Sequence, residues 1–330
     1  MKTLYLDCGM GAAGDMLTAA LLELLPDKEG FLAELNSVGI PGVMVSSEAS
    51  EKCGIQGTHI TVKVNGEEEA EEMHAHVHEH RHSHSHDHTH ENGHSHGEGH
   101  THHHSMREIE HIIGNLPVSE KVKADILAVY SLIAAAESRA HGVPVTEIHF
   151  HEVGMMDAIA DVTAVCMLME RLSPVQVIVS PIHVGSGHVK CAHGLLPVPA
   201  PATAYILQDV PVYGGGVRGE LCTPTGAALL KHFATEFGDM PVMRVAAIGY
   251  GMGEKDFTAA NCVRALLGET EDSGDRIAEL CCNLDDMTAE AIAFAKEQLF
   301  CAGALDVYTI SAQMKKSRPG VLLYVMCQRE

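Results

Sequence analysis

The chain has 330 residues, 46% of them hydrophobic, enough to bury a sizeable core and to suggest two domains, or one large domain with an appendage. Its 44 Asp and Glu against 22 Lys and Arg exclude a long-range attraction for nucleic acid or anionic membrane, so neither is expected as a partner. No apolar run reaches about 18 residues and Asp7 interrupts the N-terminal apolar stretch, so no membrane span or export signal is expected and the chain is read as cytoplasmic.

Residues 3–6 read as a short buried strand, 8–14 as a Gly-rich turn and 15–25 as a helix, together a strand, loop, helix unit. A second helix is expected over 31–38, and alternating strands over 43–47 and 57–64. From 67 to 105 large apolar residues almost vanish while Glu and His dominate; such a tract cannot offset its ordering entropy and is expected to be a disordered insertion. Order resumes with a long helix over 119–141, Ser119 as its N-cap, then an extended segment at 149–153, a helix over 155–172 and a buried strand at 176–179. Two Gly/Pro-rich passages, 185–201 and 214–226, suit pocket-shaping loops that run into helices. A strand over 243–248, a loop at 249–253 and a strand over 263–267 precede the acidic stretch 269–275, the expected domain boundary. Beyond it come a strand (277–282), a helix (288–301), a strand (305–310), a basic loop (315–320) and a strand (321–327). The expected fold class is α/β (mixed α+β), with an N-terminal layered α/β domain over 1–268 and an incomplete ferredoxin-like domain over 276–330.

Four groups of residues carry possible chemistry. The tract holds fifteen of the 24 histidines: His74, His76, His78, His80, His82, His84, His86, His88, His90, His94, His96, His100, His102, His103 and His104. Neutral imidazole suits nickel, zinc, copper and cobalt without selecting among them, and the alternative is a solubilising acidic linker. In the second group His149 and His151 share one face of an extended segment, Glu152 follows, and Asp157 and Asp161 stand one helical turn apart, so all five can converge on one ion. The alternative is that Asp157 caps the helix and both acids face water. The third is the Gly-rich turn between Asp7 and Asp15, which resembles an anion cradle but is flanked by acids that favour a metal-bridged ligand; a tight turn with Asp15 as helix cap reads equally well. The fourth sets Asn283, Asp285, Asp286 and Glu290 against Lys315, Lys316 and Arg318, pairing carboxylates for magnesium or manganese with cations for phosphates, or else a solvated acidic turn beside a basic loop. The ten cysteines form no C-x-x-C pair, and most read as reduced, buried small hydrophobes.

The blocks LYLDCGMGAAGDM, HFHEVGMMDAIADV, GSGHVKCAHGLLPVPAPAT, ELCTPTGAALL, GYGMGEKDF, NLDDMTAE and GALDVYTISAQMKKSRPG make the chain resemble the LarC family of nickel-insertion proteins in nickel-pincer cofactor biosynthesis. The resemblance implies a CTP-dependent nickel chelatase that places Ni2+ in pyridinium-3,5-bisthiocarboxylic acid mononucleotide through nickel–carbon and nickel–sulfur bonds, with CTP cleaved to CMP and pyrophosphate. It implies CTP with Mg2+ or Mn2+ in the C-terminal part, nickel and substrate in the N-terminal part, and a product used by lactate racemase and related enzymes. The apo cofactor-using enzyme and a homo-oligomeric assembly are further expected partners. Family members usually continue past the position of Glu330 with one more helix and strand. Nickel storage or metallochaperone activity without nucleotide turnover is the rival expectation.

Overall fold

A computed structural model describes residues 1–68, 104–150, 155–191, 194–271 and 277–328, without the side chains of Glu68, His104, His149 and Lys316. His74 to His103, His151 and Glu152 lie outside the described residues. The chain is mixed α/β and forms two compact units, Met1–Thr270 and Glu271–Glu330. Among the described residues no helix is long and apolar enough to cross a membrane.

The larger unit is built on an eight-stranded sheet. Its labelled strands are β1 (Lys2–Asp7), β2 (Val43–Lys52), β3 (Ile55–Val64), β4 (Gln176–Val179), β5 (Met243–Met252) and β6 (Cys262–Thr270). Starting from the edge pair Glu236–Phe237, the order is β4, β1, β6, β5, β3, β2, with Glu67–Glu68 added to β3. β1 runs parallel to β4 and antiparallel to β6. Alternation along β1 sends Leu4 and Leu6 into the main core, while Tyr5 meets Ile178 and Leu266 on the opposite face.

Helix α1 (Gly14–Leu22) lies on the sheet against β3, β5 and β6, with α5 (Met156–Leu172) packed behind it. Covered on both sides, α1 buries nearly every residue from Met16 to Leu22, which is why its Ala- and Leu-rich sequence shows little polar face. α2 (Lys28–Ser37) and α3 (Met106–Asn115) flank this layer. α4 (Glu120–His141) packs on α5, α6 (Pro201–Ile206) and α7 (Pro224–Phe233) through Val122, Ile126, Val129, Tyr130 and Ile133, a stripe at three- and four-residue spacing. The Ser119 hydroxyl caps α4 by accepting from Val122 N–H at 3.1 Å, as expected. Gly142 stops it in the left-handed region at φ 68, its N–H donating to Ser138 O.

The structure corrects the expected loop at 249–253. β5 continues to Met252, and its glycines mark a close approach to α1: a Cβ on Gly251 would fall 1.8 Å from Met16 O, and one on Gly249 2.1 Å from Ala20 O. The expected basic loop is also shorter, a 3-10 turn at Lys315–Ser317 from which Arg318 enters a strand. In the smaller unit β7 (Ile277–Leu284), β8 (Asp306–Met314) and β9 (Arg318–Gln328) form an antiparallel sheet in the order β7, β9, β8, with α8 (Ala289–Cys301) between β7 and β8 in the chain and a small core of Val307, Leu323 and Val325.

Only Cys8, Cys166 and Cys222 are buried, correcting the expectation for most cysteines. The others sit on the partly exposed sheet of the smaller unit, at the end of α8 (Cys301), or at turn and strand surfaces of the larger unit. Burial pushes the Cys222 thiol up to about 12, so little thiolate forms near neutrality. Thiol labelling at pH 8 is expected to modify the exposed Cys53, Cys281, Cys282 and Cys301 quickly, and the three buried thiols only after denaturation. Labelling of Cys222 in the native protein as fast as Cys53 would contradict this packing.

Candidate functional site

The acids of α5 begin one turn inside the helix. Its N-cap is Met155, so Asp157 does not cap it but stands in the first turn, with Asp161 one turn further on. Upstream, His149–Phe150 pairs antiparallel with His104–Ser105, which sets the backbone of the last tract histidine beside the segment leading into α5. Phe150 is anchored edge-on against Tyr130 at 6.1 Å between ring centroids. Of the five residues expected to converge here, Asp157 and Asp161 are placed on α5 and His149 by its backbone alone; His151 and Glu152 lie outside the described residues.

Asp161 faces the start of α1. A Cβ on Gly14 would meet Asp161 Oδ2 at 2.6 Å, so the missing side chain is what lets α1 begin against this carboxylate. Asp15, the next residue, does not cap α1 either: the N-cap is Ala13, with no side-chain bond. Both acids keep some exposed surface, yet Asp161 Oδ1 is shut off from solvent and accepts no hydrogen bond from the described residues. Burial, then the charges of Asp15 and Asp157, hold the Asp161 carboxyl well above the usual carboxylate range against the pull of the Asp15 N–H. Burial also raises Asp15, opposed by the Met16 N–H and by His59. The Tyr130 hydroxyl is buried without a partner among the described residues, and burial followed by the charges of Asp157 and Asp161 pushes it well above the ordinary phenol. His59 is oriented by a 2.9 Å contact between Nδ1 and Met252 O.

Asp15, Tyr130 and His59 were missed as members of one group. The legible signal was Asp15 itself, an acid set in an apolar helix between Gly14 and Met16; Tyr130 reads as core and His59 as one polar position of a strand. Among the described residues no three His, Cys, Asp or Glu side chains are arranged to hold a metal ion as they stand.

The Gly-rich turn serves as a packing device, and the N–H groups of Cys8, Gly9, Gly11 and Ala12 are spent within the fold and not on a ligand. Gly9 N–H donates to Asp7 Oδ1, Gly11 N–H to Cys8 O and Ala12 N–H to Leu221 O, while Thr223 N–H donates back to Ala12 O. Gly11 has φ 81, and a Cβ there would fall 2.0 Å from Leu221 O. Asp7 accepts from Arg264 at 2.7 Å. Nearby, His183 is 5% exposed and stacks on Tyr213 at 4.8 Å, its Nε2 without a partner among the described residues. This second cluster gathers beyond the carboxyl ends of the parallel strands β1 and β4, a usual place for ligands in α/β sheets. His183 carries no spacing signal in sequence.

In the smaller unit a cavity of about 590 Å3 is lined by Asp285, Met287, Gln313, Ser317 and Gly320 among others, so the acidic turn after β7 and the turn after β8 do meet. Asp286 and Lys315 are exposed on the same two turns, Arg318 is exposed at the start of β9, and Asn283 sits within β7 opposite Leu322. Oxygen donors on one turn and cations on the next fit a hard divalent cation carrying phosphates.

The profile of one protein family, described as nickel insertion protein, matches residues 4–330. A Clostridium kluyveri protein named pyridinium-3,5-bisthiocarboxylic acid mononucleotide nickel insertion protein is 40% identical over 330 residues, covering 99% of this chain and 77% of that one. Similar proteins of the same name occur in Desulfitobacterium hafniense, 40% identical over 98% of this chain and 75% of the relative, and in Staphylococcus saprophyticus, 36% identical over 98% and 74%. No solved structure matches the chain.

Proposed function

The chain belongs to the nickel insertion protein family, and from that premise we propose that it inserts nickel into pyridinium-3,5-bisthiocarboxylic acid mononucleotide at the expense of CTP. The observation that carries this reading is similarity over nearly the whole chain to relatives bearing that name. The product would be the nickel-pincer cofactor of lactate racemase and similar enzymes.

Residues 276–330 are read as the CTP-binding part, the first portion of a ferredoxin-like domain; the strand order β7, β9, β8 supports this. Asp285 and Asp286 would hold magnesium or manganese, Lys315, Lys316 and Arg318 would neutralise the phosphates, and Asn283 would support the turn. Magnesium or manganese, when bound, offsets phosphate charge during attack at the α phosphorus. The substrate attacks there and pyrophosphate leaves, activating the substrate as a cytidylyl ester that later releases CMP.

Residues 1–268 are read as the nickel and substrate domain. The tract from His74 to His104 would collect nickel, and the pairing of His104 with Phe150 supports delivery to the segment containing His149, His151, Glu152, Asp157 and Asp161. Those residues would position nickel or take the ring proton lost as the nickel–carbon bond forms. The tract by itself also favours a second reading, nickel storage without nucleotide turnover.

One assay separates them. The full chain is incubated with the bisthiocarboxylate mononucleotide, nickel, magnesium or manganese, and CTP, and products are followed by mass spectrometry. Nickelated product with stoichiometric CMP is expected; bound nickel with neither product would remove the insertion reading and leave storage.

A further inference from the structure

The cluster around His183 and Tyr213 leads into a loop of unpaired donors. The short parallel pair Ile182–His183 and Val212–Tyr213 releases the chain into Gly-Gly-Gly-Val-Arg at 214–218. Among the described residues the N–H groups of 214–218 make no hydrogen bond, and the exposed Arg218 guanidinium has no ion pair. Against Gly215 lies the buried and unpaired Nε2 of His183: a Cβ on Gly215 would fall 2.1 Å from it, so only glycine lets the main chain rest on the imidazole. Buried polar atoms are nearly always paired, and an unpaired one beside a row of free donors marks a place that a ligand completes. The formal net charge is -22, so an anion is held only where local donors outweigh that field.

We propose that residues 214–218 bind the phosphate of a pyridinium mononucleotide whose ring lies on Tyr213. That this ligand is the bisthiocarboxylate substrate rests on the insertion reading; the anion site rests on the geometry. Main-chain N–H groups of a glycine-rich loop can close on an anion because no side chain keeps it from the backbone. Arg218 adds a planar set of charged donors suited to phosphate. One face of the Tyr213 ring is covered by His183, the two planes 9° apart, and the Tyr213 hydroxyl donates to Gly9 O at 3.4 Å. The ring is thus held in place while the residue stays 43% exposed, which leaves its other face to solvent. A planar cationic ring is attracted to the face of a tyrosine. Phosphate and ring of one small molecule then meet neighbouring residues of one loop, whereas inorganic phosphate uses only the donors.

The test is equilibrium binding of pyridinium-3,5-bisthiocarboxylic acid mononucleotide to the full chain without nickel or CTP, beside its nucleoside, which lacks the phosphate. Arg218→Gln is expected to weaken the mononucleotide roughly 10-fold or more, the range of a lost hydrogen bond to a charged group, and to leave the nucleoside unchanged. Tyr213→Leu is expected to weaken both by roughly 5- to 150-fold, as loss of a stacking ring does, while Tyr213→Phe keeps both. Arg218 is exposed and unpaired among the described residues, so its loss should not lower the melting temperature. Inorganic phosphate bound as tightly as the mononucleotide would overturn the place given to the ring, and a matching loss of CTP binding in Arg218→Gln would overturn the choice of nucleotide. No binding by wild type, or equal affinity in wild type and Arg218→Gln, overturns the site, while nickelated product from both chains leaves the insertion reading standing. Binding that needs Arg218, in a chain that makes no nickelated product, keeps the site and removes the insertion reading.

Discussion

Alanine at both Asp285 and Asp286 is expected to lower CTP cleavage by roughly 10²- to 10³-fold or more, the range for removing groups that stabilise developing charge. Both acids are exposed, and neither is buried in the small core of Val307, Leu323 and Val325, so the fold should tolerate their loss with little change in stability. The effect should therefore appear in turnover and not in melting. Asp285 already shares a cavity with Ser317 and Gly320 at the turn after β8, which is where a triphosphate would meet Lys315 and Arg318. Nickel retention by the larger unit should be unaffected, since its acids and histidines belong to another compact unit. CMP release at the wild-type rate in the double variant would remove these residues from the nucleotide site.

Gly251→Ala is expected to destabilise the larger unit by roughly 3 kcal/mol, at the upper end of ordinary overpacking. The corresponding fall in melting temperature is roughly 6–12 °C. The added methyl would lie 1.8 Å from Met16 O and 2.7 Å from Ala20 N, backbone atoms of α1 that cannot rotate away. Relief requires α1 to lift from β5, and α1 also carries Gly14 to the face of α5, so the damage should spread to that contact too. Gly114→Ala on α3 is the matched control: a Cβ there meets nothing within 4 Å, and alanine is the better helix former, so stability should hold or rise. Equal melting of Gly251→Ala and wild type would show that the sheet and α1 are not in the contact described.

Much of the architecture is legible from local pattern. The strand at Gln176–Val179 lies where the apolar run placed it, and α4 begins behind the Ser119 cap that its sequence announces. These features depend on neighbours in the chain, whose periodicity and capping chemistry are written in order. The GYGMG segment misled because glycine reads locally as a loop, whereas here it answers to the backbone of a helix more than 200 positions away in the chain. The same holds for the turn after β1, where Gly11 accommodates Leu221 O and the N–H groups of Gly9, Gly11 and Ala12 are already bonded.

The site divides along the same line. Asp157 and Asp161 are visible in sequence because one helical turn sets them on one face, and the His-rich tract because composition alone marks it. Family membership follows from long ordered blocks of sequence. That Asp161 meets the start of α1 at Gly14, that the Tyr130 hydroxyl is buried within reach of the charges of Asp157 and Asp161, and that His104 returns opposite Phe150 were decided by the packing of α1, α4 and α5 and by one short strand pair. Sequence determines what each segment is able to be, since helix, strand and cap are settled within a few residues. Which acids lose water and cations together is settled only when distant helices close on one another, because desolvation and charge repulsion are properties of the assembled interior and not of any one segment.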